Sequence, residues 1–129
     1  MRFLVLLGIA AAMNSCEKDK KPKEYTYAPA PVMATDGVNT TTLGVPLKLT
    51  VHFQVHNGCG AFDRFVAEDK NADTTLVYVQ ARYPKDAMCT DNLPVLHTSY
   101  TFTPKKTGVH YLKFRGREGQ FVIDTIMVK

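Results

Sequence analysis

Leu47-Lys48-Leu49-Thr50-Val51-His52-Phe53-Gln54-Val55-His56 alternates apolar and polar residues without a break. A period of two puts Leu47, Leu49, Val51, Phe53 and Val55 on one side of an extended chain and the polar residues on the other. That is a strand with one face in a core and one in water. Further along, Leu76 to Tyr83 is rich in Val and Tyr, Val95 to Thr103 sets Leu96, Tyr100 and Phe102 on one face, and Val109 to Phe114 puts Leu112 and Phe114 together. Phe121 to Val128 closes the series, with a weaker strand from Phe62 to Glu68 and one or two short ones before Leu47. Turn signals punctuate them at Asp36-Gly37, Asn57-Gly58, residues 70–73, Thr107-Gly108 and residues 116–119. No amphipathic helical period competes.

About seven antiparallel strands in roughly 100 residues, with turns every 8 to 12 residues, predict an all-β fold, an immunoglobulin-like antiparallel β-sandwich spanning residues 32–129. The stretch Tyr100-Thr101-Phe102-Thr103-Pro104, then Gly108, Leu112 and Phe114, resembles the corner between the fifth and sixth strands of bacterial immunoglobulin-like modules. His110 holds the place where those modules carry a tyrosine, and Tyr111 falls one position later on the opposite face. The resemblance implies a fold and no activity.

At 129 residues, 45% hydrophobic and 22% charged, the chain suits one small domain. Sixteen basic against twelve acidic residues leave +4, spread along the chain, so no nucleic-acid footprint is present.

The N-terminus reads as an address. Met1-Arg2 is a short positive start, Phe3 to Met13 is an apolar or small run of eleven residues, and Asn14-Ser15-Cys16 follows. That is a secretory signal, residues 1–15. Eleven residues at ~1.5 Å each span about half of a ~30 Å hydrocarbon core, too short for a transmembrane helix. Ser15-Cys16-Glu17-Lys18-Asp19-Lys20 resembles the start of mature lipoproteins from Gram-negative gut anaerobes. The resemblance implies that Cys16 carries the lipid and that the protein is an outer-membrane lipoprotein of the cell envelope, periplasmic or surface-exposed. Residues 16–31, polar and ending in Ala28-Pro29-Ala30-Pro31, are expected to be a flexible tether with a reach of roughly 45 Å fully extended.

With Cys16 taken by lipid, Cys59 and Cys89 remain, and an even remainder in an exported chain predicts one disulfide. Strand order supports the pairing. A strand ending at His56, a return along Phe62 to Glu68 and a second return through Leu76 to Tyr83 bring residues 84–94 back to the turn at residues 57–60. The turn at residues 116–119 lands at the same end, so three loops are expected to cluster there, with the tether entering beside them and the loops turned toward the membrane. Asn57, Asp86, Asp91, Asn92, Arg115 and Arg117 are the candidate binding residues of this cluster.

Other chemistry is weakly signalled. His52, His56 and Cys59 have a metal-like spacing, but four residues of strand span ~13 Å, too far for one zinc ion. Asp69, Asn71 and Asp73 mimic a calcium loop, with Thr74 where its glycine belongs and Gln80 where its final acid belongs, so a polar hairpin turn is the expectation. Asp63, Glu68, Asp86 and Asp91 form no evident acid-base pair, and Ser15 and Ser99 sit in no nucleophile elbow. The expected protein is not an enzyme and uses no cofactor or metal. It is a lipid-anchored module that acts by binding or by structural association with an unknown envelope protein, with glycan binding as the alternative and a small envelope hydrolase behind both.

Overall fold

The structure, a computed structural model, describes residues 23–129. Residues 1–15 and Cys16 lie outside the described residues. Nine strands follow in order: β1 (Tyr25–Ala30), β2 (Val32–Asp36), β3 (Thr40–Thr41), β4 (Leu47–Gln54), β5 (Ala61–Asn71), β6 (Thr74–Pro84), β7 (Val95–Phe102), β8 (Gly108–Arg115) and β9 (Phe121–Val128). They form two sheets, a three-stranded one in the order β2-β4-β7 and a six-stranded one that runs β1-β6-β8-β9-β3 with β5 on the other edge of β6. The protein is an all-β sandwich.

The alternation in β4 is realised as read. Leu47, Leu49, Val51 and Phe53 are buried, with Val55 just beyond them, while Lys48 is exposed. Facing them across the sandwich are Val77, Val79, Ala81 and Tyr83 of β6, Leu112 and Phe114 of β8, and Ile126 and Val128 of β9. Each large side chain removed from water contributes roughly 1.5–3 kcal/mol, so this one cluster is the main stabilising element of the fold. β4 and β7 pair without a register shift from Leu47 opposite Phe102 to Gln54 opposite Val95.

Three expectations are corrected. The sandwich is not purely antiparallel, because β3 runs parallel to β9 and β6 parallel to β8. The second pair follows from parity: the chain leaves β6, crosses to the other sheet as β7 and returns as β8, two reversals that restore the original direction. Secondly, the described residues hold nine strands rather than about seven.

Thirdly, the tether ends earlier than composition suggested, since β1 pairs with β6 from Tyr25 opposite Pro84 to Ala30 opposite Val79. Proline is tolerated on an edge strand, which is how Pro29 fits there. The backbone N–H of Lys85 donates to Glu24 C=O, so the chain enters the domain beside the loop of residues 84–94.

Candidate functional site

The loop end is built around the bond between Cys59 and Cys89, whose Cα atoms are 5.4 Å apart, inside the usual range for a disulfide. Asn57 Oδ1 accepts the Cys59 N–H, Gly58 N–H donates to Thr90 C=O, and Thr90 Oγ1 donates to Asn92 Oδ1. Gly60 is required by close approach: a Cβ there would lie 2.8 Å from Tyr83 Cε1. Gln54, the last residue of β4, ties in the other two loops, donating through Nε2 to Leu93 C=O and accepting from Arg117 Nη2. The three-loop cluster therefore exists.

The six candidate binding residues do not form one surface. Asn57 and Asn92 sit together at the disulfide, where the side-chain oxygen of each is engaged by the loops themselves. Asp86 lines a different groove of about 660 Å³ with Lys23, Tyr25, Arg82 and Cys59. Arg115 and Arg117 border a third depression of about 570 Å³ with Pro29, Pro31 and Glu118. Asp91 is exposed and makes no side-chain hydrogen bond among the described residues.

Tyr83, Phe62 and Tyr111 do not gather into the flat aromatic platform that a glycan would need. Tyr83 is buried beneath the ring of His56 at 3.8 Å, Phe62 packs between Phe53 and Phe65, and Tyr111 lies on the far half of the six-stranded sheet. His52 engages Asp36 Oδ2 at 2.7 Å instead of joining His56 and Cys59.

A polar site that the sequence did not announce occupies the opposite end, between the β5–β6 hairpin and the segment joining β7 to β8. Thr75 Oγ1 donates to Asp69 Oδ1 at 2.8 Å and lies 2.9 Å from His110 Nε2. The single hydroxyl proton goes to Asp69, so His110 Nε2 is the donor to Thr75. Partial burial lowers the His110 pKa, against the opposing pull of Asp69 and Asp73, and burial followed by the Asp69 charge raises that of Tyr100. The imidazole stacks near Phe102, centroids 4.6 Å apart. With that proton on Asp69, the ring faces the hydroxyl as a donor and not as an acceptor. The group closes the end of the core. Asn71 Oδ1 accepts the Asp73 N–H beside it, the polar hairpin turn expected at this position.

A further uncovered feature is the outer face of the six-stranded sheet. β9 directs Val122, Ile126 and Val128 inward and leaves Phe121, Ile123 and Met127 exposed, with Ile123 at 50%. Val109 and Tyr111 of β8 stand on the same outer face, since Val109 pairs with Met127 and Tyr111 with Thr125. Leu76 and Tyr78 of β6 and Val66 of β5 extend it, forming with Phe121 and Arg115 the walls of a shallow cavity of about 240 Å³. Two acids of β5 are already matched, Asp63 with Arg64 and Glu68 with Lys70. Lys113 and Arg115 make no ion pair among the described residues, and the Lys113 ammonium sits 5.8 Å from the Phe121 ring centre.

A small two-sheet β-domain, clamped at one end by a disulfide and bare over one broad sheet face, is thus the class of protein defined by fold and surface. The family model for the ORF11 beta-sandwich domain matches residues 49–123, from within β4 into β9, and the chain belongs to that family. No curated protein and no solved structure matches it.

Proposed function

We propose that the protein is a lipid-anchored envelope lipoprotein whose single domain works as a non-enzymatic interaction module. The observation that carries this reading is the bare outer face of the six-stranded sheet. Phe121, Ile123, Met127, Val109 and Tyr111 stay in water on a surface that folding has no need to keep apolar. Contiguous exposed apolar side chains of this kind mark surfaces that a partner covers. Lys113 and Arg115 at the centre and rim, without an ion pair among the described residues, add the polar fringe usual in such interfaces.

The sandwich itself reads as an immunoglobulin-like variant. Support for that finer assignment comes from the β2-β4-β7 sheet lying opposite β8 and β9, and from β3 joining β9 in parallel at the sheet edge. Cys16 supplies the lipid attachment and holds the domain at the outer membrane, on its periplasmic or outer surface, in a Gram-negative cell of the gut-anaerobe type.

The test is chemical crosslinking in intact envelopes followed by purification of the wild-type protein and an Ile123→Glu variant. A partner adduct that falls about tenfold or more in the variant, with the melting temperature unchanged, is the expected result. Equal adduct yield from both proteins would remove the outer face from the reading. Radiolabelled palmitate incorporated by wild type and lost in Cys16→Ser checks the anchor.

A further inference from the structure

Among the described residues five strands, β1, β2, β3, β5 and β7, have strand partners on one side alone, and four of them are blunted against pairing with another chain; β9, which β3 covers only at Met127 and Val128, carries the half-buried Asp124 along its open part. β1 contains Pro29. β2 is five residues long and carries a register shift between Val32 and Ala34. β3 has two residues. β5 has register shifts at Phe62/Arg64 and Asp69/Asn71 and displays Arg64, Glu68, Asp69 and Lys70. Short length, proline, bulges and charge are the devices by which natural sheets protect their edges.

β7 has none of these. Its eight residues, Val95-Leu96-His97-Thr98-Ser99-Tyr100-Thr101-Phe102, include no proline, lysine or carboxylate and pair evenly with β4 alone. Every second residue of such a strand turns its N–H and C=O away from its one neighbour, so one side of β7 is an ordered row of donors and acceptors that no other described strand meets. The composition, rich in Val, Thr, Tyr and Phe, favours the extended state that would receive another strand. Pro94 and Pro104-Lys105-Lys106 delimit the row at its two ends.

The core is also least covered beside this edge. Of the six half-buried apolar residues packed against the core, Phe62, Phe65, Leu96 and Tyr100 all belong to β5 and β7. Phe65 meets the Tyr100 ring edge-on at 5.0 Å and the Phe62 ring at 4.9 Å, bridging the two sheets where neither has a further strand.

We infer that β7 accepts an extended segment of a partner polypeptide as a fourth strand of the β2-β4-β7 sheet. The segment is about eight residues long, with apolar side chains at alternate positions directed onto Phe65, Leu96 and Tyr100. Main-chain hydrogen bonds to β7 supply the attachment and the alternate side chains supply the selectivity, as in other strand-addition complexes. A second copy of this chain is a poorer occupant, because the inward residues of its own β7 already pack on its own core, Phe102 being buried and Tyr100 half-buried.

The inference is independent of the outer sheet face, and its test uses a different probe. The full chain is titrated with a nine-residue peptide alternating Val and Thr, and with two versions N-methylated at one or the other alternating set of residues. Amide hydrogen exchange is read at β7. The expected result is added protection at alternate residues from Val95 to Phe102, at peptide concentrations up to ~1 mM, with one N-methylated version weakened about tenfold or more and the other by less than about twofold. Equal weakening by both versions, no added protection on β7, or protection at β5 or β9 instead overturns it. Protection of β7 that rises with protein concentration in the absence of peptide also overturns it, in favour of pairing between copies.

Discussion

Replacing both Cys59 and Cys89 with serine gives the sharpest check on how the loop end contributes to stability. The bond joins residues 30 apart in sequence. Opening a loop of that size in the unfolded chain returns about 12 cal/mol/K of entropy in the loop-closure treatment, or roughly 3.5–4 kcal/mol at 25 °C.

The folded side should change little. Gly58 N–H to Thr90 C=O, Val55 N–H to Pro94 C=O and Gln54 Nε2 to Leu93 C=O hold the same loops without the sulfurs. The core residues of β4, β6, β8 and β9 lie in the two sheets and do not depend on the bond. The double variant should therefore fold and melt cooperatively, about 10–20 °C lower than the oxidised protein for a domain of this size. Guanidinium titration followed by circular dichroism measures the free energy, and amide spectra confirm that the sheets persist. A loss under about 1 kcal/mol would refute the unfolded-state account. So would a variant that loses its tertiary spectrum altogether, because the bond would then be holding up the native packing itself.

Phe114→Ala removes a fully buried ring that meets the edge of Tyr100 at 5.5 Å, and should cost about 3–5 kcal/mol in the same titration with little effect on the Cys59–Cys89 bond. For His110, the folded protein favours the neutral ring, so the unfolded chain binds the proton more readily. Stability is then fully present above the ordinary imidazole value near 6.5 and declines as pH falls from there toward the lower folded pKa, Asp69 and Asp73 moderating the drop. His110→Gln should flatten that part of the pH–stability curve, and an unchanged slope between about pH 6.5 and 5 would show that the ring is not its source.

The parts of this fold legible in sequence are those written as a local period. β4 announces itself because its core face and its water face differ at every step. The disulfide is equally open to inference, since cysteine parity and strand order agree. Partner identity is another matter: alternation states which side chains share a face and says nothing of which strand lies alongside, so the parallel pairings of β6 with β8 and β3 with β9 left no trace. β1 was hidden by Ala28-Pro29-Ala30-Pro31, whose composition resembles a spacer although its small residues pair well along β6.

The outer face did leave a signal. In Phe121-Val122-Ile123 and again in Ile126-Met127-Val128 both sides of β9 are apolar. A strand in a sandwich needs only one such side, so the second asks for a cover. The cluster of Asp69, Thr75 and His110 had no comparable signature, because its members come from three places in the chain and meet only after folding.

The early start of β1 shortens the leash. On the proposed anchoring through Cys16, seven residues lie between the lipid-bearing residue and Glu24, where the domain's backbone is first pinned to Lys85. The eight Cα-to-Cα steps from Cys16 to Glu24 reach roughly 26 Å at full stretch. A domain moored so closely by the proposed lipid, and at its disulfide-bearing end, would turn its crowded loops to the headgroups and present the exposed sheet face and the open flank of β7 sideways, toward neighbours in the same bilayer.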